Sequence, residues 1–188
     1  MRERYGEIAK NILLGLAITG AVAVAATSPY FLLNLTKEIS KNRKYFKKEW
    51  DKRKLKKAFE KMRKNKLIIL SEKNGKFIVE LTEKGKRKVK EIQLDNLKIK
   101  RPPIWDKKWR MVIFDIPNKK NRAREALRLK LKELGFYQLQ KSVWVIPYPC
   151  ENEIQFLAEL FNVVPFVNII IADKITNDLK LKKYFKLL

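Results

Sequence analysis

Read for its apolar and polar positions, the chain divides into two unlike halves. The first begins with an apolar stretch: Asn11–Thr36 carries no charged residue, and Ile12–Ala26 is almost wholly aliphatic or small. A helix apolar all round lies in a protein core or in lipid, so the stretch predicts a buried first helix, with a membrane span or anchor as the alternative. Its second half is rich in Ala, Gly and Thr, which favours the core. Ser28-Pro29 then suits the start of a second helix, Ser28 as N-cap and Pro29 in the first turn, with Tyr30, Phe31, Leu33, Leu35 and Ile39 as its apolar face. After a basic connector over 41–48, Leu55, Ala58, Phe59 and Met62 fall on one helical face, with Asp51 as N-cap. The opposite face carries Lys52, Arg53, Lys56, Lys57 and Lys61, followed by Arg63 and Lys64. Leu67–Leu70 reads as a strand. Asn74-Gly75 is a strong signal for a type I′ hairpin turn, and Lys76–Leu81 alternates as the return strand. Thr82 caps a further helix starting at Glu83.

Pro102-Pro103 interrupts both helix and ladder, so the linker is placed at 98–108, between a first domain at 1–97 and a second at 109–188. Trp109–Ile116 is a nearly continuous apolar strand, the pattern of a central strand. Ala123–Leu134 is amphipathic and stops at Gly135. Phe136–Gln140 and Ser142–Ile146 make two strands around a tight turn, Glu151–Phe161 a helix, and Val167–Ala172 a last strand. The order is βαββαβ, the ferredoxin-like plan, with a short tail helix over Lys180–Leu188. The expected fold class is α+β: an N-terminal winged helix-turn-helix followed by a ferredoxin-like domain.

Charge sharpens the picture. The 188 residues hold 44 Lys and Arg against 20 Asp and Glu, a formal net charge of +24. The first hundred residues have 27 basic and 11 acidic side chains, the remainder 17 and 9. Such an excess calls for a polyanion, with nucleic acid first and an anionic membrane second. The absence of histidine excludes Ser-His-Asp and Cys-His catalysis and His-ligated zinc. The lone Cys150 excludes an intrachain disulfide and fits a cytoplasmic protein.

The helix, helix, basic helix, strand, Asn-Gly hairpin, strand, helix order of the first half, and Leu67–Lys90 in particular, resembles the winged-helix regulators. Trp105-Asp106-Lys107-Lys108-Trp109-Arg110-Met111-Val112-Ile113-Phe114-Asp115-Ile116-Pro117 resembles the phenylacetate-repressor (PaaX-like) regulators. So do Leu134–Val145 and Pro147-Tyr148-Pro149-Cys150. That resemblance implies a winged helix joined to a domain similar to the small ferredoxin-like nuclease subunit of the CRISPR adaptation complex. It further implies a dimeric transcriptional repressor of double-stranded DNA, acting without a cofactor. The chain ends at Leu188, where the full-length regulators continue, so no effector site is carried over.

In this reading Arg53 is the best base reader, because its guanidinium fork matches O6 and N7 of guanine. Lys52, Lys56, Lys57 and Lys61 meet phosphates, as do Lys73 and Lys76 at the wing. Asp115 ends its strand where the related nuclease subunit has a metal-binding aspartate. Two copies in a dimer would share one Mg²⁺ there, giving the enzymatic alternative, a metal-dependent nuclease. Against it, one carboxylate without acidic neighbours fits a strand-end residue bonded to the Ile116-Pro117-Asn118 turn. Glu151 and Glu153 sit where acidic side chains complement a helix N-terminus. Tyr5, Tyr30, Trp50, Trp105, Trp109 and Trp144 are scattered over apolar faces and read as core rather than as a base-stacking platform.

Overall fold

A computed structural model describes residues 6–25, 30–40 and 51–187. The protein is α+β, with seven α-helices and two antiparallel sheets among the described residues. It forms two compact units, Met1–Asp95 and Asn96–Leu188.

The first unit runs α1 (Glu7–Thr19), β1 (Ala21–Ala25), α2 (Phe31–Ser40), α3 (Lys52–Lys64), β2 (Ile68–Lys73), β3 (Lys76–Leu81) and α4 (Glu83–Asn96). The long apolar stretch is therefore not one helix. Helix α1 ends at Gly20, whose φ of +75° suits a residue without a Cβ. Ala21–Ala25 then pairs antiparallel with β3, Val22 opposite Val79 and Val24 opposite Phe77. The alternation of small and β-branched residues in Ala-Val-Ala-Val-Ala explains the switch: Val22 and Val24 are buried while Ala21 and Ala23 are exposed. Among the described residues no helix is long and apolar enough to cross a membrane. The stretch that suggested a span is divided between a helix and a strand, both of which feed one core. That core gathers Ile12, Leu13 and Leu16 of α1, Leu35 of α2, Leu55 and Met62 of α3, and Val79 of β3. The expected cap Ser28-Pro29 and the basic connector over 41–48 lie outside the described residues, as do Tyr5 and Trp50.

The second unit runs β4 (Trp109–Phe114), α5 (Asn121–Glu133), β5 (Tyr137–Gln140), β6 (Val143–Ile146), α6 (Glu151–Leu160), β7 (Val167–Ala172) and α7 (Leu179–Phe185). Its sheet has the order β5-β6-β4-β7, with β4 and β6 central and every neighbour antiparallel. Pleating sends Arg110, Val112 and Phe114 to one face and Trp109, Met111 and Ile113 to the other. Helices α5 and α6 begin or cross on the first face: Arg128 of α5 lies 5.9 Å from the Phe114 ring, and Glu151 of α6 lies 3.7 Å from the Arg110 guanidinium. On the second face Leu181 of α7 packs with Trp109 and Val145. Trp109 and Trp144 are buried, and Trp105 stacks at 5.0 Å on Trp109, so these three indoles build the fold.

Candidate nucleic-acid interface

Helix α3 is held by what it buries and capped by what precedes it. The Asp51 carboxylate accepts the Lys54 N–H at 2.9 Å, satisfying one of the orphan donors of the first turn. Leu55, Phe59 and Met62 are buried, and Phe31 of α2 meets both Phe59 and Phe77 edge-on, at 5.8 and 5.6 Å. One aromatic thus ties α2, α3 and β3 together and fixes which face of α3 looks out.

That outer face carries Lys52, Arg53, Lys54, Lys56, Lys57, Lys61, Arg63 and Lys64, all exposed, against the single carboxylate of Glu60. Few of these cations have an internal task. Lys56 is 4.0 Å from Glu60, and the Lys52 ammonium lies 5.6 Å from the Tyr30 ring. Lys61, Arg63 and Lys64 sit in the last turn, where the macrodipole favours them. Lys52, Arg53 and Lys54 sit in the first turn, where it opposes them, so helix stability does not account for their presence.

At 3.6 residues per turn, the row most directly opposite Leu55, Phe59 and Met62 is Arg53, Lys57, Glu60 and Lys64. Lys52, Lys56 and Lys61 flank it. All five cations expected on α3 are therefore exposed, but the central row also contains Glu60 and Lys64. The spacing of four, three and four from Arg53 was visible in the sequence and identifies both.

Lys73 and Lys76 flank the hairpin turn between β2 and β3, where Asn74 and Gly75 have φ of 51° and 67°, as a type I′ turn requires. They are directly opposed across the strands and exposed. Like charges facing one another in a strand pair are destabilising, and a phosphate between them would reverse the sign.

Helix α4 is seated against the α3–β2 turn. Thr82 Oγ1 accepts the Gly85 N–H at 3.0 Å and donates to the Lys66 carbonyl at 2.6 Å, while the Thr82 N–H donates to the Leu67 carbonyl at 3.0 Å. A Cβ on Gly85 would lie 2.0 Å from the Leu67 oxygen, so only glycine permits this approach.

The second unit treats its cations differently. Arg110 is 5% exposed and forms a two-pronged pair with Asp106 at 2.6 and 2.7 Å, with further bonds to the Lys108 and Pro147 carbonyls. The Arg110 guanidinium holds the Asp106 carboxyl below its ordinary range. Arg124 donates to Asn118, Asn121 and the Ile116 carbonyl, and Arg128 to Glu125 and the Lys141 carbonyl. Glu151 accepts the Cys150 N–H at 2.9 Å, so it serves the start of α6, and burial pushes the Cys150 thiol up to about 12. Asp115 is exposed just beyond β4, and its N–H donates to the Phe166 carbonyl at 3.0 Å. Among the described residues no three His, Cys, Asp or Glu side chains come together as a metal-holding group.

Residues 102–183 match the family model of the PaaX protein central Cas2-like domain. The second unit belongs to that family, as its Trp105–Pro117 and Leu134–Cys150 motifs implied. No curated protein matches the chain.

Proposed function

We propose that this protein is a DNA-binding transcriptional regulator, a repressor, in which the first unit is a winged helix-turn-helix and the second a ferredoxin-like dimerisation domain. The observation that carries it is α3: eight exposed cations on one helix, three of them set against the helix dipole. The strand and helix order around α3 supports the winged-helix reading, since a three-stranded sheet of order β1-β3-β2 presents the β2–β3 hairpin as the wing. Helix α3 then enters the major groove. Arg53 reads guanine, and Lys52, Lys56, Lys57, Lys61 and Lys64 meet phosphates. Glu60, in the centre of the outer row, would accept from the N4 amino group of cytosine and repel a misplaced phosphate. Lys73 and Lys76 grip the neighbouring backbone. Membership of the second unit in the PaaX central-domain family supports the regulatory role, and two copies would set two α3 helices on two half-sites. The cytoplasm is the matching compartment. The nuclease reading is not favoured, because Asp115 has no acidic cluster around it among the described residues.

The test is duplex binding by fluorescence anisotropy across a salt series. Arg53→Ala with Lys57→Ala should weaken binding and flatten the slope of log affinity against log salt by about 2, near 0.9 per lost phosphate contact. An affinity and slope equal to those of the unmodified protein would remove α3 from the interface.

A further inference from the structure

The two edges of the second unit's sheet are unlike. The β5 edge is blunted: its register with β6 shifts between Gln138 and Gln140, and it ends at Lys141. A bulge and a terminal lysine are common ways of discouraging strand addition. The β7 edge has neither. Val167–Ala172 pairs with β4 without interruption, and no ionisable side chain occurs from Leu160 to Ala172. Ile170 and Ile171 are 47% and 52% exposed.

The backbone direction of this edge follows from one bond. The Asp115 N–H donates to the Phe166 carbonyl, so these opposed residues form a hydrogen-bonded pair. Such pairs alternate along an antiparallel ladder. Phe166, Asn168, Ile170 and Ala172 therefore turn their N–H and C=O groups to β4, and Val167, Ile169 and Ile171 turn theirs outward. The three outward residues are evenly spaced about Ile169.

We infer that β7 pairs with β7 of a second copy, antiparallel about a twofold axis through Ile169, joining two sheets into one. In this register Ile169 faces its own copy, and Val167 faces the second copy's Ile171. On the order of six main-chain hydrogen bonds would form. Val167, Ile169 and Ile171 share the face of Val112, so each half-exposed Ile171 side chain is covered by a valine. A second copy is the fitting occupant for two reasons. The strand's outward groups are symmetric about their centre, as a twofold contact requires. Two chains of net charge +24 also repel, and β7 lets them meet without bringing ionisable side chains of the strand together. This deepens the paired arrangement proposed above, and it is read without nucleic acid, so its failure is separate from failure of the α3 interface.

Sedimentation equilibrium of the full chain, with no DNA present, is the experiment. The unmodified protein should be a dimer. Ile171→Lys and Val167→Glu should each weaken dimerisation by on the order of tenfold or more, since the symmetry introduces each change twice. The double variant places lysine opposite glutamate at both positions and should regain the dimer. A monomeric unmodified protein, a dimer indifferent to either single change, or a double variant no better than the singles would each overturn the inference. Circular dichroism confirms that each variant is folded before it is weighed.

Discussion

The two units use cations in opposite ways. In the first, α3 displays eight of them to solvent with one carboxylate among them. In the second, Arg110, Arg124 and Arg128 are committed to carboxylates, amides and carbonyls of their own fold. The difference follows residue chemistry. A guanidinium fork can satisfy several acceptors at once and tolerates burial, whereas an ammonium on a flexible stem stays hydrated and meets a phosphate as a point charge. Net charge alone would have ranked both units as polyanion binders. The partners of each cation separate them.

The contrast can be broken most severely at Gly85. Gly85→Ala forces a Cβ against the Leu67 carbonyl, and the first unit should lose about 3 kcal/mol, as overpacking against backbone does. Hydrogen exchange should show α3 and α4 deprotected while β4 to β7 stay protected. Equal loss in both units would mean that they are not separate in stability.

Asp106→Asn probes the other side. Arg110 would keep its burial but lose its charged partner. Because Asp106 is itself 44% exposed, the cost should be about 2 kcal/mol, below that of a fully buried pair. Duplex affinity per folded molecule should not change. The pH dependence has a definite sign. The folded-state pKa of Asp106 is lowered by Arg110, so its contribution is complete above the unfolded value. It is lost as pH falls through the folded one. Denaturant titrations should show the second unit weakening below about pH 4, and that loss should be smaller in Asp106→Asn.

At the wing, Lys73→Ala and Lys76→Ala should each reduce the salt slope of duplex binding by about 0.9. Stability should hold or rise slightly, because an opposed like-charge pair is relieved. The smallest effect belongs to Glu60→Gln. It should tighten binding to random duplex by about twofold to fivefold while relaxing preference at one base pair. Tightening to all sequences alike, measured by competition between duplexes, would make Glu60 a repulsive bystander rather than a reader.

Much of the site was legible in the chain because it rests on local rules. Asp51, the 55-58-59-62 apolar spacing, Asn74-Gly75 and Thr82 each specify their element from nearby residues, and the structure has all four. Ile12–Ala26 misled because an apolar run has no internal period to distinguish helix from strand. Only pairing with β3 decides that Ala21–Ala25 extends. Lys64 and Glu60 were within reach, since the spacing that buried Leu55 also defines the row facing away from it.

By itself, then, the sequence determined the order of elements, the exposed basic face of α3, the hairpin turn and the motifs that mark the second unit's family. Period, capping and turn chemistry act over a few residues and are written locally. The tertiary structure alone decided that β1 completes a sheet, that Gly85 must lack a side chain, that Arg110 is spent on Asp106, and that β7 is left as an uncharged edge. Each of these depends on what a distant segment brings alongside, and no window of neighbouring residues contains that information.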